Sequence, residues 1–121
     1  MKKLLFSLLM GVAVSLFYIP QNANAMVELK GGPNGPVIAV VDETSAYVIQ
    51  SDQDNLIFNV NENFGDGWHT GHYKWKNSDH YRWFLYRTSD NEPWSQGTVF
   101  QGGTGSVFAY MWKHIRGYGF S

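Results

Sequence analysis

The chain has 121 residues, ten acids against nine bases, and no cysteine. The missing thiols exclude disulfide scaffolds, thiol catalysis and thiolate metal sites, and the near-neutral charge argues against a polycationic nucleic-acid binder. Rings are abundant instead, with five Trp, seven Tyr and eight Phe.

The first residues read MKKLLFSLLMGVAVSLFYIPQNANA. Lys2 and Lys3 form a positive start, and an apolar run follows from Leu4 to Ile19. Pro20 stops a helix there, and Ala23-Asn24-Ala25 supplies the small-x-small pattern of a cleavage site. The expectation is a cleavable signal peptide over 1–25 and a single secreted, extracellular domain over 26–121. The apolar run is short for a membrane span, and no cysteine follows it for lipid attachment. Loss of Lys2 and Lys3 would leave ten acids against seven bases, a net charge of −3.

MVELK, Met26 to Lys30, reads as a first strand. Pro33-Asn34-Gly35 is a turn signal. Val37 to Val41 is a β-branched run, and AYVIQ resumes in the same style after a break at Asp42 to Ser45. SDQDN is a polar turn, LIFNV a weakly alternating strand, and NENFGDG an irregular loop. HYRWFLYRT is the clearest strand. Tyr81, Trp83, Leu85 and Arg87 share one face, and Arg82, Phe84, Tyr86 and Thr88 the other. The near copies HYKW and HYRW, joined by KNSD, predict a hairpin turn at Lys76 to Asp79 that stacks Tyr73 and Trp75 against Tyr81 and Trp83. GTVFQ is a short strand and GGTG a turn. SVFAYMWKHI reads as a last strand because of its flanking glycines and its rings, with a helix over Ser106 to His114 as the alternative, since Ala109 and Met111 are good helix formers and Ser106 could cap it. The sum is an all-β domain, a small antiparallel β-sandwich or barrel of about six to eight short strands.

Charge divides unevenly along the chain. Seven acids from Glu28 to Asp66 face Lys30 alone, whereas six bases lie beyond Gly67 with three acids, Asp79, Asp90 and Glu92. All four His and all five Trp lie in this second part. His69, His72 and His80 are the candidate transition-metal ligands, provided Thr70-Gly71 bends the strand to bring them together. The acids and amides of DQDN and NENFGDG could serve Ca²⁺, although their spacing misses the EF-hand loop pattern. No resident cofactor is expected, with Zn and Ca as the alternatives these residue types leave open. Neither a nucleophile elbow nor an HExxH pair is present, so a binding role is favoured over an enzymatic one.

Sugar rings stack on Trp and Tyr, and amides and bases bind their hydroxyls. Trp68, Tyr73, Trp75, Tyr81 and Trp94 are therefore the candidate ligand-binding rings. Lys74, Lys76, Arg82 and Arg116 form a candidate basic rim. The expected partner is an extracellular glycan or the bacterial envelope, not nucleic acid. Self-association and protein partners have no sequence signature here. The alternatives are a bacteriocin-like antibacterial protein that perturbs the envelope of competing cells, and an inhibitor of an extracellular enzyme. Intact-mass measurement of the protein in culture medium should give a chain that begins at Met26. A cell-retained, full-length chain would contradict export.

Overall fold

The computed structural model describes residues 25–78 and 82–120. Six strands occur in chain order: β1 (Met26–Lys30), β2 (Val37–Ser51), β3 (Asn55–Asn63), β4 (Trp68–Lys76), β5 (Trp83–Arg87) and β6 (Ser95–Thr98). A helix, α1 (Gly102–Arg116), follows them. Each strand pairs antiparallel with its neighbour, giving one six-stranded meander in the order β1-β2-β3-β4-β5-β6. Among the described residues the architecture is a single open sheet with one helix across it, not a closed barrel or a two-sheet sandwich. No described helix is long and apolar enough to cross a membrane.

The interruption at Asp42 to Ser45 is a bulge inside one long strand. The pairing passes from Asp42↔Asn61 to Tyr47↔Asn59, so β2 carries extra residues across that interval. Ser45 Oγ holds the bulge, donating to the Asp42 carbonyl at 2.6 Å and accepting the Asn61 N–H at 2.8 Å. Strand β3 runs on through Glu62 and Asn63, which shortens the expected NENFGDG loop. Asn63 Oδ1 closes what remains by accepting the N–H groups of Gly65 and Gly67, both at positive φ.

The segment SVFAYMWKHI is helix, not strand. Val107, Phe108, Met111 and Trp112 are buried on one stripe, with Ile115 packed beside them. That is the spacing of a helix face. The alternation Phe108, Tyr110, Trp112 mimics a strand only because rings also occupy the helix flank. Lys113, His114 and Arg116 lie in the last turn, where they complement the helix dipole. Gly117 ends the helix at φ 81°, donating its N–H to the Lys113 carbonyl at 2.8 Å. The glycines before Val107 seat the helix. A Cβ on Gly105 would overlap the Thr98 carbonyl, so only glycine lets α1 approach the end of β6 this closely.

The core lies between α1 and the inner face of the sheet. Phe58 and Tyr73 stack at 4.9 Å, and Phe84 and Phe108 at 4.6 Å. Trp75 meets Trp112 edge-on at 4.9 Å, and Phe120 returns from the tail to cap Trp112 at 4.7 Å. Strands β4 and β5 do form the expected hairpin, but in a different register. Tyr73 opposes Tyr86 and Lys74 opposes Leu85. Trp75 therefore faces inward, while Trp83 lies on the opposite face and is exposed. Asp79, His80 and Tyr81 lie outside the described residues.

These two tryptophans should separate in a denaturant titration. Trp75→Ala should cost on the order of 3–5 kcal/mol, as for a buried ring. Trp83→Ala should cost under ~1 kcal/mol. Equal costs would contradict the inward placement of Trp75.

Candidate functional site

The sheet has two unlike faces. Alternation along β3 turns Leu56, Phe58, Val60 and Glu62 inward, and along β4 His69, Gly71, Tyr73 and Trp75. The outward positions of β3 to β6 hold Asn55, Ile57, Asn59 and Asn61, then Trp68, Thr70, His72, Lys74 and Lys76. Trp83, Leu85, Arg87, Gln96 and Thr98 complete that face. On β3 to β6 these positions carry no carboxylate; the acids of that face, Asp42 and Glu28, lie on β2 and β1, opposite Asn61 and Val40.

Two cross-strand rows organise the outer face. One is Tyr47–Asn59–His72–Arg87, and the next is Ile57–Lys74–Leu85–Gln96. Trp94, in the loop before β6, folds back over them. Its ring centroid lies 4.1 Å from the Arg87 guanidinium carbon and 5.8 Å from Lys74 Nζ. Cation–π attraction of this kind fixes the ring on the sheet while leaving part of it in solvent. Tyr47 is 67% exposed at the other end of its row. Together they offer rings, amide hydrogen-bonding groups and positive charge on a surface α1 does not cover.

The candidate rings distribute as follows. Trp94 and Trp68 are half-buried. Trp68 sits on the outer face six residues before Lys74, roughly 20 Å along the strand at 3.4 Å per residue. Tyr73 and Trp75 are enclosed in the core and present no stacking face to solvent. Tyr81 lies outside the described residues. The basic rim does not converge. Lys74 and Lys76 are outward and exposed on β4. Arg82 is half-buried, 6.0 Å from the Phe100 and Phe120 ring centroids. Arg116 is a structural clamp: it stacks on Trp112 at 4.1 Å and donates to the Asp52 and Asn55 carbonyls at 2.6 and 3.0 Å.

Of the candidate histidines, the two described ones, His69 and His72, do not converge. Gly71 stays in regular strand rather than bending, so His69 turns inward and His72 outward. His80 is outside the described residues, and no cluster of three or more metal-ligating side chains occurs among those described. The reason for Gly71 is steric. A Cβ there would overlap the carboxylate of Glu62, which is fully buried on the inner face.

Glu62 anchors a polar cluster at one end of the core. Its Oε1 accepts the Tyr73 hydroxyl at 2.5 Å, and its Oε2 accepts the Tyr86 hydroxyl at 2.5 Å and His69 Nε2–H at 2.7 Å. Both carboxylate oxygens are thus satisfied, as a buried charge requires. Burial, reinforced by the adjacent Glu62 charge, pushes both tyrosine hydroxyls well above their usual range. They remain protonated donors and fix the carboxylate without exchanging protons near neutral pH. The hydrogen bond to Glu62 raises the His69 pKa above 6.5, against the opposing effect of desolvation. Glu62 is legible in the sequence: continuing the alternation of Leu56, Phe58 and Val60 lands on it, so a carboxylate had to occupy a buried position. Arg87, the other residue on which the geometry turns, carries no comparable signal.

Compared with protein-family models, with curated proteins and with solved structures, the chain matches none.

The raised His69 pKa has a definite linkage sign. Its stabilising contribution is fully present below the unfolded value of 6.5 and is lost as pH rises through the higher folded value. Urea unfolding midpoints should fall over that interval above pH 6.5. His69→Gln should remove that dependence, and an unchanged pH profile in this variant would contradict the assignment.

Proposed function

We propose that the protein is a secreted, non-catalytic binding domain that recognises a glycan of the bacterial envelope or extracellular matrix. Its binding surface is the uncovered face of the sheet. The observation that carries this reading is Trp94, held across Arg87 and Lys74 beside outward-facing Asn59 and His72. A ring lying on a flat sheet, flanked by amide and cationic donors, is what a pyranose needs: apolar C–H faces stack on the ring, and hydroxyls find hydrogen-bonding groups at its edge. The leader-like segment 1–25 supports action outside the cell. The satisfied state of Glu62 and the protonated tyrosines support a scaffold role for the buried cluster rather than a reactive one.

Tryptophan fluorescence titrated with cell-wall glycan fragments tests the reading. Trp94→Ala should weaken binding about tenfold or more, the equivalent of ~1.4 kcal/mol. Its circular dichroism should match the parent, because Trp94 lies outside the core cluster. Anionic lipid vesicles run in parallel separate the antibacterial alternative. Response to vesicles with dye leakage, and none to glycan, would replace the glycan reading.

A further inference from the structure

On the outer face, Arg87 is poorly satisfied for a half-buried cation. Its Nη2 reaches Asp90 Oδ1 at 3.4 Å, and its Nη1 reaches the Asp90 and Glu92 carbonyls at 3.5 Å, all at the long limit of hydrogen bonding. Its Nε is buried with no hydrogen-bond partner among the described residues. The same Asp90 carboxylate stands 3.5 Å from His72 Nδ1. Asp90 belongs to the loop after β5, and its side chain is 85% exposed. One solvated carboxylate thus spans Arg87 and His72 without making a close bond to either. The surrounding strand positions add Lys74 and Lys76 and no acid.

We propose that Arg87, His72 and Lys74 form a subsite for the carboxylate of an acidic sugar, a uronic acid residue, and that Asp90 is an intramolecular stand-in which that carboxylate displaces. The inference rests on the glycan reading above and names its ligand class. The chemistry is a planar carboxylate meeting a guanidinium fork, with Lys74 supplying further positive charge. The sugar ring attached to that carboxylate then lies against Trp94, which is stacked on the same guanidinium. Displacement of Asp90 costs little because its contacts are long and solvated. It also keeps the site selective, since a neutral sugar has no group with which to replace the Asp90 charge.

Isothermal titration of the secreted chain with three oligosaccharide probes of equal length tests this: a polyuronate, a neutral glucan and a sulfated glucan. The polyuronate should bind at least about fivefold tighter than the glucan at low salt, and the margin should shrink in high salt. Asp90→Asn should tighten polyuronate binding about threefold or more and leave glucan binding unchanged. Lys74→Gln should weaken the polyuronate selectively. Equal affinity for polyuronate and glucan would overturn the acidic subsite and leave the glycan reading standing. Preference for the sulfated probe would overturn the carboxylate assignment. Weaker or unchanged polyuronate binding by Asp90→Asn would overturn the stand-in role; Asp90 is too exposed for that variant to fail by unfolding. Binding of no probe would remove the glycan reading and the subsite with it.

Discussion

Phe108 is the contact through which helix and sheet become one body. It stacks on Phe84 of β5 and reaches Phe58 of β3, Tyr73 of β4, Trp112 one turn on in α1, and Phe120 of the tail. A domain of this size without disulfides must obtain its stability from apolar burial. Rings supply the most area per residue, and offset and edge-on pairs add to it. The meander by itself cannot provide this, because a single sheet leaves both faces in water. One helix closes one face, and the ring layer is the material of that closure.

The division into faces follows from α1 covering one side of the sheet. The inner side becomes core and holds a buried carboxylate, Glu62, because Tyr73, Tyr86 and His69 surround it with donors. The outer side keeps its amides and bases in solvent and retains Trp94 by stacking on Arg87. Similar residue types therefore carry opposite meanings on one strand. In β4, Trp75 faces the core and Trp68 the outer face, because an odd number of steps along the pleat separates them.

Much of the sheet was legible because turn chemistry and β-branched runs are local. The strand at Met26, the turn at Pro33 to Gly35 and the faces of Phe84, Tyr86 and of Trp83, Leu85, Arg87 all follow from neighbours in sequence. The helix was obscured by composition. Rings at Phe108, Tyr110 and Trp112 satisfy a two-residue period, while the burial of Val107, Phe108, Met111 and Trp112 follows the helical one. Gly102 to Gly105 resembled a turn, whereas Gly105 is there for close approach to Thr98. Hairpin register was equally hidden. HYKW and HYRW look like partners, but the pairing of Tyr73 with Tyr86 is set by the core each strand must fill. The Trp94–Arg87 stack joins a loop to a strand through side chains alone, and no periodicity encodes that.

The position of α1 in the chain has a consequence for how the molecule is made. Successive strands pair with sequence neighbours, so the meander can grow as the polypeptide lengthens. Its cover follows all six strands in the chain, and Phe58, Tyr73 and Phe84 lack it until Val107 to Trp112 have been synthesised. A nascent chain that lacks only this segment holds an apolar sheet with nothing to lay over it.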